Sequence, residues 1–299
     1  MLFRSAVLRD AEAALYRAKA LGGGHIELFD APMRSLQNDR VRLAEKLRSA
    51  VADGAITVHY QPSIDLRTGR VHSVEALVRW NHPERGLLAP GEFIDVADDT
   101  GMVSSLGLEV LRQACERAAA WRRRWGPEAP IMHVNLSARQ IAEPGLVEEV
   151  AAVITGSGIE PAALCLELTE SLLLEDAPAS IAVVVALKAL GVGLAIDDFG
   201  TGYSSLSYLS RLPVDVIKVD KSFVDRLQPV DGDGSVIAGA IVSLAKALRL
   251  KTIAEGVTSV EQLAELHRMG CDAAQGYYFS EPLPGDGIET YLATAFASA

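Results

Sequence analysis

Cysteine is scarce in this sequence, and its spacing excludes several kinds of site. The three cysteines, Cys115, Cys165 and Cys271, are odd in number and far apart. They form neither a disulfide framework nor the closely spaced pairs of zinc and redox motifs. We therefore expect reduced, structural thiols in a cytoplasmic protein.

Positive charge is also in deficit. Lysine and arginine number 28 against 39 aspartates and glutamates, which gives a formal net charge of −11. A protein this acidic is not expected to bind nucleic-acid polymers or anionic membranes through charge. An anionic substrate remains compatible with this balance if cations mediate the contact.

No apolar run is long enough to span a membrane. The longest, residues 181–196, is interrupted by Lys188 and two glycines, whereas a spanning helix needs about 20 apolar residues. The N-terminus also lacks the apolar core and cleavage site of a secretory signal. We expect no membrane contact from this segment, although a longer protein that contains it could be membrane-anchored.

What the sequence does contain is a rhythm of short β-rich runs from Ile56 onward. Eight recur, namely ITVHYQP, VHSVEALVRW, IMHVNLS, LCLELTE, GLAIDDFG, VIKVDKSF, KTIAEGV and AAQGYYFS. Helical patterns over 143–156, 177–190, 235–249 and 259–269 separate most of them. This alternation predicts parallel βαβ units, and eight units in 299 residues predict a closed α/β barrel of the TIM type.

The first connection departs from that rule. Only SIDLRTGR lies between the first two runs, which is too short for a helical crossover, and Thr68-Gly69 is a turn signal. The first two strands should form an N-terminal hairpin, so we expect a modified (β/α)8 barrel with one antiparallel strand. Residues 1–39, with a helical pattern over 6–21, are expected to be a helical or linker segment before a main domain at 40–299.

Polar residues stand where nearly every apolar run ends. They are Gln61, Glu75, Asn135, Glu167, Asp197, Asp198, Lys218, Glu255 and Gln275. Barrels of this type carry their catalytic groups at the C-terminal ends of the strands. A buried carboxylate is costly unless it is paired or binds a metal, so this repeated placement predicts one shared, highly polar site.

The residue types indicate the chemistry of that site. Five carboxylates and one asparagine are included but no histidine, since His59 and His133 come two positions before the polar ends. Oxygen ligands suit Mg²⁺ or Mn²⁺ better than Zn²⁺. Two ions about 4 Å apart recur in enzymes that cleave phosphate esters, and they would allow Asp197 and Asp198 to stand side by side.

Structural roles are the alternatives for each residue taken singly. Asp197 and Asp198 could cap a helix and form a turn. Lys218 could form a salt bridge to Asp220 or to a barrel carboxylate. Asn135 and Gln275 could be ordinary hydrogen-bonding residues. The conjunction of such residues at corresponding strand ends favours a functional site.

The ordered motifs resemble those of the EAL family, the cyclic di-GMP phosphodiesterases. They are YQP at 60, VEALVRWNHPERG at 74, VNLS at 134, LELTES at 166, IDDFGTGYSSLSYL at 196, LPVDVIKVDKSFV at 212, AEGV at 254 and QGYYFSEPLP at 275. The resemblance covers about residues 40–299. It implies hydrolysis of cyclic di-GMP to linear pGpG with two Mg²⁺ or Mn²⁺ ions.

The resemblance also implies roles for single residues. A first metal would be held by Glu75, Asn135, Glu167 and Asp197, and a second by Asp197, Asp198 and Glu255. Lys218 or Glu255 would position or deprotonate the attacking water, and a lysine near two cations should have a depressed pKa. Gln61, Arg79 and Gln275 match substrate-contacting positions, with Arg79 suited to a phosphate oxygen.

The sequence DFGTGYSS, which begins at Asp198, resembles the family's flexible loop after the fifth barrel strand. Gly200 and Gly202 would permit its motion and Glu170 would anchor it. Because the family couples this loop to dimerisation, a homodimer is expected.

The N-terminal LRDAEAALYRAKALGGGHIELFD resembles the end of a GGDEF (diguanylate cyclase) domain. This resemblance suggests that the chain is the C-terminal part of a tandem protein, and an unrelated linker helix is the alternative.

Two departures from the family pattern leave other functions open. Thr258 stands where the family usually has a second glutamate after AEGV, and Glu281 stands where a basic residue is common. Neither is a metal-ligand position. A weak or inactive cyclic di-GMP sensor is therefore the alternative to an active phosphodiesterase, and an interaction scaffold that no longer binds nucleotide comes third.

Overall fold

A computed structural model describes residues 31–170, 178–201, 209, 211–227 and 233–297, with positions 11, 14, 15, 18, 24, 26, 28 and 29. Of the helix predicted over 6–21, Ala11, Ala14, Leu15 and Ala18 are helical, and its other positions lie outside the described residues. No helix among the described residues is both long and apolar enough to cross a membrane.

The strands form one closed barrel. In chain order they are β1 Ile56–Asp65, β2 Val71–His82, β3 Gly86–Leu88, β4 Ile131–Leu136, β5 Leu164–Thr169, β6 Gly193–Phe199, β7 Val216–Val219, β8 Lys251–Ala254 and β9 Ala273–Gln275. The sheet order is β1-β9-β8-β7-β6-β5-β4-β2-β3, and pairing of β1 with β2 closes it. All eight predicted strands are present and the TIM-type barrel is confirmed, with β3 as an additional strand.

The predicted N-terminal hairpin is also confirmed. Strand β1 runs antiparallel to β2, where Gln61 faces Glu75, and antiparallel to β9, where Ser63 faces Gln275. The strands from β4 to β9 pair in parallel, as does β2 with β4. In the hairpin turn, Asp65 Oδ1 accepts from the backbone N–H groups of Arg67 and Thr68.

Helices connect and cover the strands. They are α1 Ala31–Ala52, α2 Ile94–Asp99, α3 Val103–Trp125, α4 Ala138–Ala142, α5 Leu146–Ser157, α6 Pro178–Ala189, α7 Lys221–Val224, α8 Asp233–Ala247, α9 Val260–Met269 and α10 Gly285–Ala297. The four predicted crossover helices correspond to α5, α6, α8 and α9. Helix α1 is continuous across residues 39 and 40, where we had expected the main domain to begin.

Local sequence signals explain where two of these helices begin and which face they bury. Ser259 accepts a hydrogen bond from the backbone N–H of Gln262, whose side chain accepts from the backbone N–H of Ser259. This reciprocal capping box starts α9. Helix α5 buries Leu146, Val150 and Ile154, which at a spacing of four residues line one face.

The barrel interior holds a small apolar cluster, which we call the inner layer. It consists of Cys165, Ala195, Val216, Ile253 and Ala273, one from each of β5 to β9. Residues from five successive strands can contact one another only inside a closed barrel. The larger core lies between the outer strand faces and the helices. The inner layer lies inside the barrel, directly below the residues at the C-terminal ends of the strands.

Candidate active site

The polar strand-end residues stand directly above the inner layer. Alternate residues of a strand share a face, so each inner-layer residue is followed, two positions later, by a polar one. The pairs are Cys165 and Glu167, Ala195 and Asp197, Val216 and Lys218, Ile253 and Glu255, and Ala273 and Gln275. Glu75 and Asn135 reach the same cluster from β2 and β4.

Lys218 lies at the centre of this cluster. Its Nζ is 2.5 Å from Glu255 Oε1, 2.8 Å from Glu167 Oε2, 3.1 Å from Asp197 Oδ1 and 3.5 Å from Glu75 Oε2. The side chain is 1% exposed, so its ammonium group is held entirely by protein oxygens. Barrel carboxylates are therefore its partners.

Asp220, which the sequence offers as a salt-bridge partner for Lys218, instead caps a helix. Its Oδ1 accepts from the backbone N–H of Ser222 at 3.0 Å and caps α7 at the N-terminus. A short polar residue at this position satisfies a helix N–H that has no partner within the helix.

Four carboxylates set the charge state of Lys218. Burial disfavours the ammonium form, but Glu167, Glu255, Glu75 and Asp197 outweigh it and raise the pKa of Lys218 well above its ordinary value. The depressed pKa expected from the sequence assumed two metal ions beside the lysine, whereas the raised pKa follows from the carboxylates alone. In the described arrangement Lys218 is a charged hydrogen-bond donor.

One lysine cannot satisfy this many carboxylates. An ammonium group has three protons, whereas four carboxylates surround it. Asp197 Oδ1 is the oxygen left over, since it is buried and makes no hydrogen bond although Lys218 Nζ lies 3.1 Å away. An unsatisfied buried carboxylate oxygen beside three further carboxylates has the chemistry of a site for hard divalent cations.

Asp197 and Asp198 reach one site because strand β6 is irregular at its end. Consecutive residues of a regular strand point to opposite faces. The pairing of β6 with β7 shifts between Ile196 and Phe199, and Asp198 has a φ of +54°, which is uncommon for a residue other than glycine. This irregularity, of the β-bulge type, re-aims the chain beside the site, so both carboxylates approach Glu255.

The resulting trio could hold a metal ion. One oxygen each of Asp197, Asp198 and Glu255 lies within 4.8 Å of the others, and among the described residues no other trio of histidine, cysteine or acidic side chains meets that condition. Burial, followed by the charge of Asp197, raises the pKa of Asp198 to about 6. Burial also raises the pKa of Glu255 well above its ordinary value, and Lys218 opposes this. These three are the residues expected to hold the second metal.

Glu75 is held by amide groups as well as by Lys218. Asn135 Nδ2 donates to Glu75 Oε1 at 2.8 Å, and Gln275 Nε2 donates to Glu75 Oε2 at 2.7 Å. Burial opposes ionisation, but Lys218, Gln275 and Asn135 together hold the pKa of Glu75 below its ordinary value. The structure thus groups three of the expected ligands of the first metal, Glu75, Glu167 and Asp197, around Lys218. The fourth, Asn135, is joined to Glu75 by one hydrogen bond.

Gln61 and Gln275 are expected to contact substrate, and both lie beside Glu75, since Gln61 faces Glu75 across the β1–β2 pairing and Gln275 donates to it. Gln275 Nε2 also donates to Gln61 Oε1 at 3.0 Å, and Ser63 Oγ donates to Gln275 Oε1 at 2.7 Å. Gln61 is 7% exposed and Gln275 is 5% exposed. Gln275 thus holds Glu75 directly, and Gln61, whose Nε2 donates to the Ser280 carbonyl at 2.9 Å, contacts Gln275.

Arg79 lies at the rim of the site on β2. Its Nη1 donates to the backbone carbonyl of Val78 at 2.8 Å, and the residue is half-buried. Burial lowers its pKa, while Tyr277 and Glu75 act in the opposite direction. A guanidinium group at the edge of a carboxylate cluster remains suited to a phosphate oxygen.

His133 is a further neighbour of the cluster, and its contact is not evident from the sequence. Its Nδ1 is 2.8 Å from Glu167 Oε1. Burial raises the pKa of Glu167 well above its ordinary value; Lys218 opposes that shift, and Glu75 and Asp197 add to it. The sequence indicates only that His133, two positions before Asn135, shares its strand face, and not that Glu167 is its partner.

The expected loop anchor is present in part. The backbone N–H of Gly200 donates to Glu170 Oε2 at 2.6 Å, and Gly200 has a φ of +101°. Gly202 and most of the loop that follows lie outside the described residues. The predicted anchoring role of Glu170 is therefore supported by its contact with Gly200.

The two departures from the family pattern lie away from Lys218. Thr258 is exposed, and its backbone N–H and hydroxyl both donate to Gln262 Oε1 at the start of α9. Glu281 is exposed next to Ser280, whose hydroxyl donates to the Glu281 carbonyl. Neither residue contributes a side chain to the carboxylate cluster.

Comparison with known proteins places this fold and site in context. The sequence model of the EAL domain matches residues 44–282. The bifunctional diguanylate cyclase/cyclic di-GMP phosphodiesterase MucR of Pseudomonas aeruginosa is 40% identical over 285 residues, covering 95% of this chain and 41% of that protein. The cyclic di-GMP phosphodiesterase NbdA of the same organism is 41% identical over 286 residues, covering 96% and 36%.

Solved structures are similar over most of the chain. The PaMucR phosphodiesterase in complex with c-di-GMP is 42% identical, with a TM-score of 0.79 over 83% of this chain and 99% of that one. The EAL domain of Mycobacterium smegmatis DcpA is 36% identical, with a TM-score of 0.67 over 81% and 97%. The chain spans less than half the length of the MucR and NbdA proteins it matches.

Proposed function

This chain belongs to the EAL domain family, and from that premise we propose that it hydrolyses one phosphodiester bond of cyclic di-GMP to give linear pGpG. Residues 40–299 form the phosphodiesterase domain in this proposal. MucR and NbdA, which are named as cyclic di-GMP phosphodiesterases, and the c-di-GMP complex of a similar structure support the choice of substrate.

One observation carries the proposal, namely the concentration of acidic oxygens around one buried lysine. Four carboxylate groups lie within 3.5 Å of Lys218 Nζ, and Asp198 adds a fifth beside Asp197. Three of the five, Glu75, Glu167 and Asp197, are buried, and a structural core gains little from several buried charges. A site that binds cations and an anionic substrate requires them.

Two Mg²⁺ or Mn²⁺ ions are the proposed cofactors. Glu75, Asn135, Glu167 and Asp197 would hold one, and Asp197, Asp198 and Glu255 the other. The oxygen-only donor set and the unsatisfied Asp197 Oδ1 support this assignment. When bound, such ions offset the negative charge of a phosphodiester and make water more acidic.

The chain's own groups would orient the reactants and hold the proton. Glu255 would receive the proton lost by the attacking water on its carboxylate, while the charged Lys218, whose Nζ lies 2.5 Å from Glu255 Oε1, donates hydrogen bonds that position the reactants. Arg79 would donate hydrogen bonds to a phosphate oxygen at the rim. Gln61 and Gln275 would contact the substrate beside Arg79, and Gln275 would also hold Glu75 in place.

Product analysis tests this function directly. Purified protein is incubated with cyclic di-GMP and Mn²⁺ or Mg²⁺, and pGpG is measured by chromatography beside Glu75→Gln, which keeps the side-chain size but removes the charge. Product from the wild type and not from the variant is expected. Tight nucleotide binding without any product would instead establish the sensor, and absence of both would leave the scaffold.

Oligomeric state and upstream sequence complete the proposal. We infer a homodimer, a cytoplasmic location for this domain, and a GGDEF-type segment ahead of it that ends within residues 1–39. Sedimentation of the protein across a concentration range would test the dimer, and a monomer at all concentrations would refute it.

A further inference from the structure

We propose that His133 is a positioning residue that fixes the orientation of the Glu167 carboxylate, so that Glu167 presents a single oxygen to the metal site. The inference rests on the proposed function, because it concerns how one proposed ligand is held. It adds a residue that the oxygen-only ligand set does not contain.

The contact is short and buried. His133 Nδ1 lies 2.8 Å from Glu167 Oε1, and the two side chains are 3% and 0% exposed. An ionised carboxylate only accepts hydrogen bonds. With Glu167 in the ionised form that binds cations, Nδ1 therefore carries the proton and donates it.

The position of His133 in the barrel explains why this contact is held. On β4 it shares a face with Asn135, and it stands opposite Glu75 on β2 and Cys165 on β5. Cys165 belongs to the inner layer, two residues before Glu167. The imidazole is thus confined between the floor of the site and the carboxylate above it.

This arrangement separates the two oxygens of Glu167. Oε1 is taken by His133, and Oε2 faces the site at 2.8 Å from Lys218 Nζ. Without the imidazole, the carboxylate could rotate about its last torsion, which is broad for a glutamate. Groups that hydrogen-bond to a metal ligand orient it, and their loss typically weakens metal affinity about 10- to 100-fold.

Two substitutions separate the hydrogen bond from the space the ring occupies. His133→Phe keeps a ring but removes the donor. His133→Asn restores a donor, because its amide nitrogen lies as many bonds from Cβ as Nδ1 does. Binding of Mn²⁺ to the nucleotide-free protein is measured by isothermal titration calorimetry, with circular dichroism as the check on folding.

We expect His133→Phe to weaken Mn²⁺ binding about 10- to 100-fold, and His133→Asn to return to within about threefold of the wild type. His82→Phe is the matched control. His82 is also a buried histidine, 4% exposed, and its Nδ1 accepts from the backbone N–H groups of Glu84 and Arg85. Its loss should lower thermal stability and leave Mn²⁺ affinity unchanged.

The outcomes distinguish this inference from the proposed function. Unchanged Mn²⁺ affinity in a folded His133→Phe protein would overturn the positioning role, as would equal losses in the Phe and Asn variants. If the wild type itself neither binds Mn²⁺ nor forms pGpG, the proposed metal centre fails and the positioning role fails with it. Wild-type binding with an unaffected His133→Phe would reject the inference alone.

Discussion

The backbone N–H of Gly200 donates to Glu170 Oε2 at 2.6 Å, which ties the end of β6 to the end of β5. Glu170 is 2% exposed, so this carboxylate is shielded from water. Gly200 comes two residues after Asp198, and Glu170 comes three residues after Glu167. The contact therefore joins the two strand ends that bring three of the proposed metal ligands to the site.

Removing the carboxylate should loosen that junction. A hydrogen bond to a charged group contributes about 1.5–3 kcal/mol, so we expect Glu170→Ala to reduce kcat/KM by at least about tenfold. Glu170→Gln retains an acceptor oxygen and should lose less. Steady-state formation of pGpG at saturating Mn²⁺ measures both variants. Equal activity of Glu170→Ala and wild type would show that this contact does not support the site.

Gly200 should not tolerate a side chain. Its φ is +101°, and an added Cβ would lie 2.8 Å from Phe223 Cε2 and 3.0 Å from Ile241 Cδ1. We expect Gly200→Ala to lower the free energy of unfolding by about 1–3 kcal/mol. Gly239, inside α8, has open space at the same position, so Gly239→Ala should raise it by about 0.5–1 kcal/mol. The free energy of unfolding of both variants is measured in urea. Equal destabilisation by Gly200→Ala and Gly239→Ala would show that the position of Gly200 does not require glycine.

Lys218 should matter for stability as well as for activity. Lys218→Met leaves three buried carboxylates and the partly buried Glu255 without their cation, and breaking a buried pair costs about 3–5 kcal/mol. Lys251, whose side chain is 67% exposed beside Asp272, is the control, since surface pairs contribute about 0–1 kcal/mol. Urea unfolding is measured with a chelator present. A Lys218→Met protein as stable as Lys251→Met would show that the carboxylates do not depend on the lysine.

The barrel and the strand-end residues could be predicted because their signals are local. A polar residue interrupts the apolar run at Glu75 and Glu167, and alternation of strands with helices indicates parallel pairing. The irregular end of β6 could not be predicted. A positive φ at Asp198 depends on how β6 pairs with β7, which the residues around Asp198 do not reveal.

Side-chain contacts between strands also could not be predicted from the sequence. Residue spacing places His133 on the same face as Asn135, yet its partner Glu167 lies 34 positions away on another strand. The relative shift of β4 and β5 decides which side chains meet, and a single sequence does not contain that shift. The raised pKa of Lys218 likewise depends on four carboxylates from four other parts of the chain, whereas the depressed pKa expected from the sequence assumed two bound cations.

Ser63 is expected to act on the site through Gln275. Its hydroxyl donates to Gln275 Oε1 at 2.7 Å, which leaves the amide NH₂ group to face Glu75. Ser63→Ala should let that amide flip and place an oxygen against the carboxylate, so kcat should fall several-fold. Ser73 faces Ser63 on β2 and is equally buried, so Ser73→Ala controls for loss of a buried hydroxyl. Matching kcat values for the two variants would contradict the role of Ser63.

Acid should weaken the fold through Asp272, which is not part of the carboxylate cluster. Its carboxylate accepts from Lys251 Nζ at 2.9 Å and from the Thr252 N–H and hydroxyl at 3.0 Å. Burial opposes ionisation, but these donors hold the pKa of Asp272 below its ordinary value of 3.8. The unfolded chain therefore binds this proton more readily, so the stabilisation is complete above that value and is lost as pH falls through the folded-state pKa.

Asp272→Asn removes that titration while keeping the size of the side chain. The wild type should be the more stable protein at pH 7, and the difference in free energy of unfolding should shrink as pH falls below about 4. Urea unfolding at a series of pH values from 7 to 3 measures it. Glu148→Gln, on the exposed face of α5, controls for the loss of one negative charge. A difference that stays constant down to pH 3 would show that Asp272 stabilises the fold without its charge.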